Sequence, residues 1–219
     1  MTKGYLVMAQ GEYVGQAEAL ARSIRATQTS VNSISVITDQ AINQDLFEHV
    51  IAIPGDDLAI DADWKIHNRA RFYELSPYDE TVILDADMLF LNDVSHWWTN
   101  FYYYDLLITS RVKTYRGEWV AASPYRKTFV ANNLPDVYSA FAYFRRSTRA
   151  EEFFNLVKSI VTNWNEWVTR YAPEEPQAWA SIDLAMAIAV KVLDCEAEVT
   201  TQRNYPTFTH MKKIGRAHV

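Results

Sequence analysis

The chain has 219 residues, is 49% hydrophobic and carries a formal net charge of −6, which provides for a sizeable core and excludes a uniformly basic nucleic-acid-binding surface. A single cysteine, Cys195, excludes an internal disulfide and a thiolate zinc cluster and suits a reducing compartment. No stretch has the apolar length of a signal peptide or a membrane span, so a soluble cytoplasmic protein with no membrane partner is expected.

In chain order, residues 5–10 predict a first strand closed by Gly11, and residues 14–26 carry apolar groups at helical spacing. Residues 33–38 predict a second strand that ends at Asp39. Residues 46–53 fit either a helix end or a third strand, stopped by Pro54-Gly55. Residues 64–75 predict one helix, Ser76-Pro77-Tyr78-Asp79 a turn, and Thr81-Val82-Ile83-Leu84 a strand buried on both faces. Residues 106–109 predict a further strand, whereas residues 112–135 show no sustained period and suggest a long functional loop. Helices follow at residues 149–163 and 181–193, and residues 196–201 suggest a late strand. Strands alternating with helices predict an α/β fold with a mostly parallel central sheet, in one domain covering residues 1–212. Neither a repeat nor a phosphate-binding glycine fingerprint is present. With six glycines in the whole chain, any grip on phosphate must come from side chains and metal.

The buried-strand run ends in Asp85-Ala86-Asp87. In an extended backbone residues i and i+2 point the same way, so the two carboxylates can converge on a hard divalent cation such as Mn²⁺ or Mg²⁺. Asp61-Ala62-Asp63 repeats the same letters without a preceding strand, which singles out the later copy. The alternative for either copy is a turn or helix cap.

Lys65-x-x-x-Arg69-x-Arg71-Phe72-Tyr73-Glu74-Leu75, followed by Tyr78-Asp79 and Leu84-Asp85-Ala86-Asp87, resembles the GT-A glycosyltransferases of family 8, the glycogenin and galactosyltransferase type. The resemblance implies a Rossmann-like nucleotide-diphospho-sugar transferase fold, a UDP-sugar donor, and manganese on Asp85 and Asp87. It places Lys65, Arg69, Arg71, Asp39 and Lys212 near the nucleotide-sugar and makes His210 a third metal ligand. It also points Asp183 at the donor sugar and acceptor, as a catalytic residue beside Asp87, and puts Asn133 and Tyr138 at the acceptor pocket. Retention of anomeric configuration comes with the same resemblance. Local alternatives remain open: a solvated helix face with Glu74 as partner for the basic residues, dipole capping for Asp183, a turn for Asn133, and a surface position for His210.

Arg111, Lys113, Tyr115, Arg116 and Trp119, then Tyr125, Arg126 and Lys127, interleave cations with aromatics, a pattern that suits phosphates and exposed bases. Arg145, Arg146 and Arg149 extend it. A hydroxyl acceptor in hydroxymethylated phage DNA, 5-hydroxymethylcytosine, is one expectation. A saccharide or lipid-linked acceptor is the other. A sugar nucleotidyltransferase is a rival, although Gln10-Gly11-Glu12-Tyr13 is a poor glycine-rich loop; a non-catalytic sugar-nucleotide or DNA-binding module is another. Finally, Lys213-Ile214-Gly215-Arg216-Ala217-His218-Val219 can be encoded by a common sequencing-adapter string, so residues 213–219 are expected to be a non-native tail.

Overall fold

The computed structural model describes residues 1–54, 66–110, 112–114, 126–200 and 209–210, with backbone alone at residues 66, 67, 113, 114, 209 and 210. Lys65, Arg111, Tyr115, Arg116, Trp119, Lys212, Asp61-Ala62-Asp63 and the tail 213–219 lie outside the described residues, as do the side chains of Lys113 and His210.

A six-stranded sheet organises the molecule in the order β3-β2-β1-β4-β7-β5. The strands are β1 (Lys3–Met8), β2 (Ile34–Ile37), β3 (Val50–Ile51), β4 (Glu80–Leu84), β5 (Leu106–Ser110) and β7 (Val137–Arg145). β1 pairs in parallel with β2 and β4, and β2 with β3, while β7 runs antiparallel between β4 and β5. Hence five of these strands point one way and β7 alone is reversed. A separate short pair joins β6 (Lys113–Thr114) in parallel to β8 (Thr209–His210).

Period-2 side-chain alternation divides each central strand between two apolar layers. Tyr5, Val7, Val82, Leu84, Phe141 and Tyr143 pack with Ala17, Leu20 and Ile24 of helix α1 (Tyr13–Thr27) and with Trp98 and Phe101 of α4 (Trp97–Phe101). Leu6, Ile83, Ala142 and Phe144 face the other way, onto α6 (Thr148–Thr162) and α8 (Ile182–Val192). Both faces are therefore covered, which explains the near-continuous apolar runs at residues 82–84 of β4 and 140–144 of β7. No helix among the described residues is long and apolar enough to cross a membrane.

Several expectations are corrected. The helix expected over residues 64–75 is interrupted within the described residues: α2 (Ile66–Arg69) and α3 (Phe72–Leu75) are separate because the Arg71 amide turns back to the Asn68 carbonyl at 2.9 Å. The strand expected over residues 196–201 is not formed within the described residues 196–200; Glu196–Val199 is helix α9, with Glu196 and Glu198 in its first turn, where the helix dipole favours acids. The region 112–135 holds β6 and α5 (Lys127–Ala131). Residues 164–171, given no element above, form α7 (Trp164–Tyr171). β7, also unassigned from sequence, is a nine-residue strand between β4 and β5.

Candidate functional site

In an open α/β sheet, ligands bind beyond the carboxyl ends of the strands where the strand order reverses. Here the chain builds outward from β1 to β2 and β3, then returns to place β4 on the other side of β1. The reversal thus lies between β1 and β4. Residues 9–11 follow β1, Asp39 and Gln40 follow β2, and Asp85-Ala86-Asp87 follows β4, all on that edge. The Gly11 amide donates to Gln40 Oε1 at 3.1 Å, and Gly11 itself has φ +55°, a left-handed turn. Asp39 beside it is exposed.

The strand β4 ends at Leu84, and Ala86 and Asp87 lie in a turn. The extended i, i+2 geometry expected of the Asp pair is therefore corrected: the backbone leaves the sheet immediately after Asp85. The Asp85 amide still donates to the Ala140 carbonyl of β7 at 3.0 Å, which fixes this residue to the sheet edge. Farther along, the Phe90 amide donates to Ser23 Oγ at 3.0 Å. Buried Gln28 bridges the Asn92 carbonyl at 2.9 Å and the Val94 amide at 3.0 Å. Both ends of the segment carrying Asp87 are therefore anchored.

Asp85 is partly buried, with a side-chain exposure of 29%, and Asp87 is exposed. Arg69, exposed to 24%, forms an ion pair and hydrogen bond from Nη2 to Asp85 Oδ1. Its buried Nε–H finds no acceptor among the described residues. Arg71 diverges from it, making two contacts with Glu74 at 2.8 and 3.2 Å, while Lys158 reaches Glu74 at 3.1 Å. The Arg71 hydrogen bond, ahead of the Lys158 contact, holds the Glu74 carboxyl below its ordinary range against a smaller upward push from burial. Of the two arginines that the resemblance puts near a nucleotide, only Arg69 touches the Asp85 carboxylate.

A second cluster sits one residue away on β7. Asp183, in the first turn of α8, accepts from the Ser139 amide at 2.8 Å and from Ser139 Oγ at 2.6 Å through one oxygen, and from Arg126 Nη1 at 3.3 Å through the other. Capping of α8 falls instead to Ser181, whose hydroxyl accepts from the Leu184 amide. Arg126 is fully buried, donates to Asp136 Oδ1 at 2.8 and 2.9 Å and to the Val137 carbonyl, and lies between the rings of Phe129 and Tyr138, 3.6 and 4.1 Å from their centroids. Since Asp85 bonds Ala140 and Asp183 bonds Ser139, the antiparallel start of β7 gathers both carboxylates at one sheet edge. Sequence reasoning counts Arg126 only among the cations of the basic stretch, and misses it and Ser139 as partners of Asp183. Neither carries a local signal, because their roles come from contacts up to 57 residues apart.

Of the acceptor candidates, Tyr138 and Asn133 have described side chains, and both make structural contacts. Tyr138 is buried beneath Arg126 and against Val112, and Asn133, at φ +47°, turns the chain after α5. Lys191 Nζ donates to the Asn132 and Asn133 carbonyls at 2.8 and 3.4 Å. The cations of the basic stretch that are described in full are internally engaged: Lys127 with Glu175, Arg145 with Asp105, and Arg149 with Glu152 and Glu198. Arg146 bonds the Ser76 and Tyr78 carbonyls and lies over the ring of Tyr73.

The donor set can be tested against a divalent cation. Asp85 and Asp87 supply hard oxygens at an open edge, the choice for Mg²⁺ or Mn²⁺. No group of three His, Cys, Asp or Glu residues converges among the described residues. Two carboxylates with phosphates and water completing the shell is the ordinary arrangement for such ions on nucleotides, so the residues present fit. His210 is in β8, its backbone paired with Thr114. A shallow groove of about 600 Å³, lined by Lys3, Trp98, Tyr102 and Tyr103 among others, lies by the opposite, amino-terminal end of β1 and is separate from this edge. No protein-family model matches the chain, and no curated protein matches it.

Proposed function

We propose that this chain is a metal-dependent glycosyltransferase that moves a hexose from a UDP-sugar to a hydroxyl acceptor. One observation carries the reading: Asp85 and Asp87 occupy the switch-point edge of an α/β sheet, with Arg69 on Asp85 and Asp183 held one β7 residue away. Asp85 and Asp87 hold Mn²⁺ or Mg²⁺, which when bound neutralises the diphosphate and stabilises the charge left as the glycosidic bond breaks. Arg69 donates to phosphate oxygens, replacing a glycine-rich loop. Exposed Asp39, just beyond β2 on the same edge, is assigned to the nucleoside.

In the transfer, the bond between the anomeric carbon and the phosphate oxygen breaks, and the acceptor oxygen bonds that carbon. The resemblance implies retention, by a front-face route in which the departing phosphate oxygen takes the acceptor's proton. Asp183 is given a positioning role in such a route, because Ser139 and Arg126 hold its two oxygens in a fixed orientation. For the acceptor, a saccharide hydroxyl comes first, since among the described residues of the basic stretch Arg126 is buried and Lys127, Arg145, Arg146 and Arg149 are engaged within the chain. Hydroxymethylated DNA is the comparison arm.

The test is to incubate the protein with labelled UDP-hexoses, Mn²⁺ and either simple saccharides or hydroxymethylated DNA. Metal-dependent transfer supports the reading, and the productive arm identifies the acceptor class. Absence of both transfer and donor hydrolysis across the donor panel refutes it.

A further inference from the structure

We infer that Arg69 is a built-in substitute cation for Asp85, exchanged for the metal only when a diphosphate takes over its guanidinium; this rests on the metal and UDP-sugar reading above. Without ligand, the Asp85 carboxylate already has a positive partner on Arg69 Nη2, at a site where both side chains are less than a third exposed. A bare divalent cation arriving at Asp85 meets an occupied oxygen and a neighbouring like charge, both of which weaken its binding. The guanidinium, for its part, is incompletely satisfied. Its Nε–H is buried without an acceptor among the described residues, and its ring contact with Phe72, 5.8 Å to the centroid, supplies no acceptor for it.

A diphosphate resolves both deficits at once. Its oxygens give Arg69 an anionic acceptor set matched to a planar, multidentate donor. They also complete the coordination shell of an ion on Asp85. Metal and diphosphate therefore bind with positive coupling, and part of that coupling comes from releasing the Arg69–Asp85 pair. By reciprocity, each ligand strengthens the other by the same factor. The exchange needs no domain motion, because Arg69 lies on short helix α2 while Asp85 is fixed to β7 through its backbone. Its consequence is discrimination: stray divalent cations without nucleotide gain little at this edge.

The test measures Mn²⁺ binding by the loss of the free-ion paramagnetic resonance signal, with and without UDP, in the whole chain. Arg69→Gln is expected to tighten Mn²⁺ binding without UDP by about tenfold and to reduce the enhancement produced by UDP by a similar factor, within the usual range of coupling between sites. Arg69→Lys, which keeps the charge, is expected to bind bare Mn²⁺ as weakly as the wild type. A second measurement stands even where Arg69→Gln folds poorly: Asp85→Asn frees the guanidinium and is expected to tighten metal-free binding of inorganic pyrophosphate several-fold. Unchanged or weaker Mn²⁺ binding in Arg69→Gln, or unchanged pyrophosphate binding in Asp85→Asn, overturns the exchange while leaving a metal site intact. Absence of Mn²⁺ binding in the wild type even with UDP overturns the metal reading itself, and the exchange with it.

Discussion

Replacing Arg126 by Met tests whether the start of β7 is held by a buried charge network. The guanidinium is fully buried, donates to Asp136, Asp183 and the Val137 carbonyl, and is sandwiched between Phe129 and Tyr138. Methionine fills much of the volume but leaves two carboxylates without their cation. Breaking a buried ion pair from one side costs about 3–5 kcal/mol. Asp136 and Asp183 retain side-chain exposures of 23% and 14%, and Asp183 keeps both Ser139 donors, so water and the serine offset part of that loss. The lower end, about 3 kcal/mol, is therefore expected, with a fall in Tm of about 6–12 °C for a chain of this size. Urea denaturation followed by circular dichroism measures it. Adding Asp183→Asn should make the Arg126→Met loss smaller, with a coupling of about 1 kcal/mol or more in the double-mutant cycle. A loss below about 1 kcal/mol, with additive effects in the cycle, would refute a network held by charge.

Gly4→Ala is expected to destabilise by about 1–3 kcal/mol, because the new methyl would meet the Tyr78 ring at 2.3–2.6 Å. That ring is buried and hydrogen-bonded to Ser35 Oγ at 2.7 Å; a urea midpoint equal to wild type would contradict the packing. Asp87→Asn is expected to remove metal-dependent transfer while changing stability by less than about 0.5 kcal/mol, since the side chain is exposed. Parallel rate and melting measurements check both halves, and full turnover would sink the metal assignment. Alkaline pH should destabilise the fold. Burial is the largest cause of the raised phenol pKa values of Tyr5, to about 12, and of Tyr78 and Tyr143, with the adjacent Glu80 next for Tyr143. Their unfolded counterparts ionise near 10. Below that pH the stabilising contribution is complete, and it declines as pH rises toward the folded values, because the unfolded chain then binds fewer protons. Urea midpoints should fall between pH 9 and 11, with native tyrosinate absorbance lagging that of the unfolded chain; a flat profile would contradict it.

Local chemistry made much of the scaffold legible. The run Thr81-Val82-Ile83-Leu84 implied a doubly covered strand, and β4 is buried at every position. Helices α1, α6 and α8 lie within a residue or two of their periodic patterns, since an amphipathic stripe depends only on neighbours three and four apart. By contrast, β7 escaped notice although Val137-Tyr138-Ser139-Ala140-Phe141-Ala142-Tyr143-Phe144 is rich in strand formers. Its two-sided burial erases the alternation that marks a half-exposed strand. Within residues 196–200 the expected strand failed for the opposite reason: Val199 and Thr200 favour strands, but the turn at Asp194, φ +47°, starts a short helix there.

What the amino-acid order determined alone was the α/β alternation, the acidic pair at the end of an apolar strand, and the shortage of glycine that excludes a glycine-rich phosphate loop. Tertiary structure decided the partners. Glu74 was already a local candidate partner for Arg71, three residues away, but whether Arg69 pairs with Asp85, and whether Arg126 is a surface cation or a buried clasp for Asp136 and Asp183, depends on contacts 10 to 57 residues apart. Such contacts follow from strand order and the reversal of β7, which bring distant segments to one edge. A charge in a sequence has no partner until the fold chooses which opposite charge shares its low-dielectric surroundings.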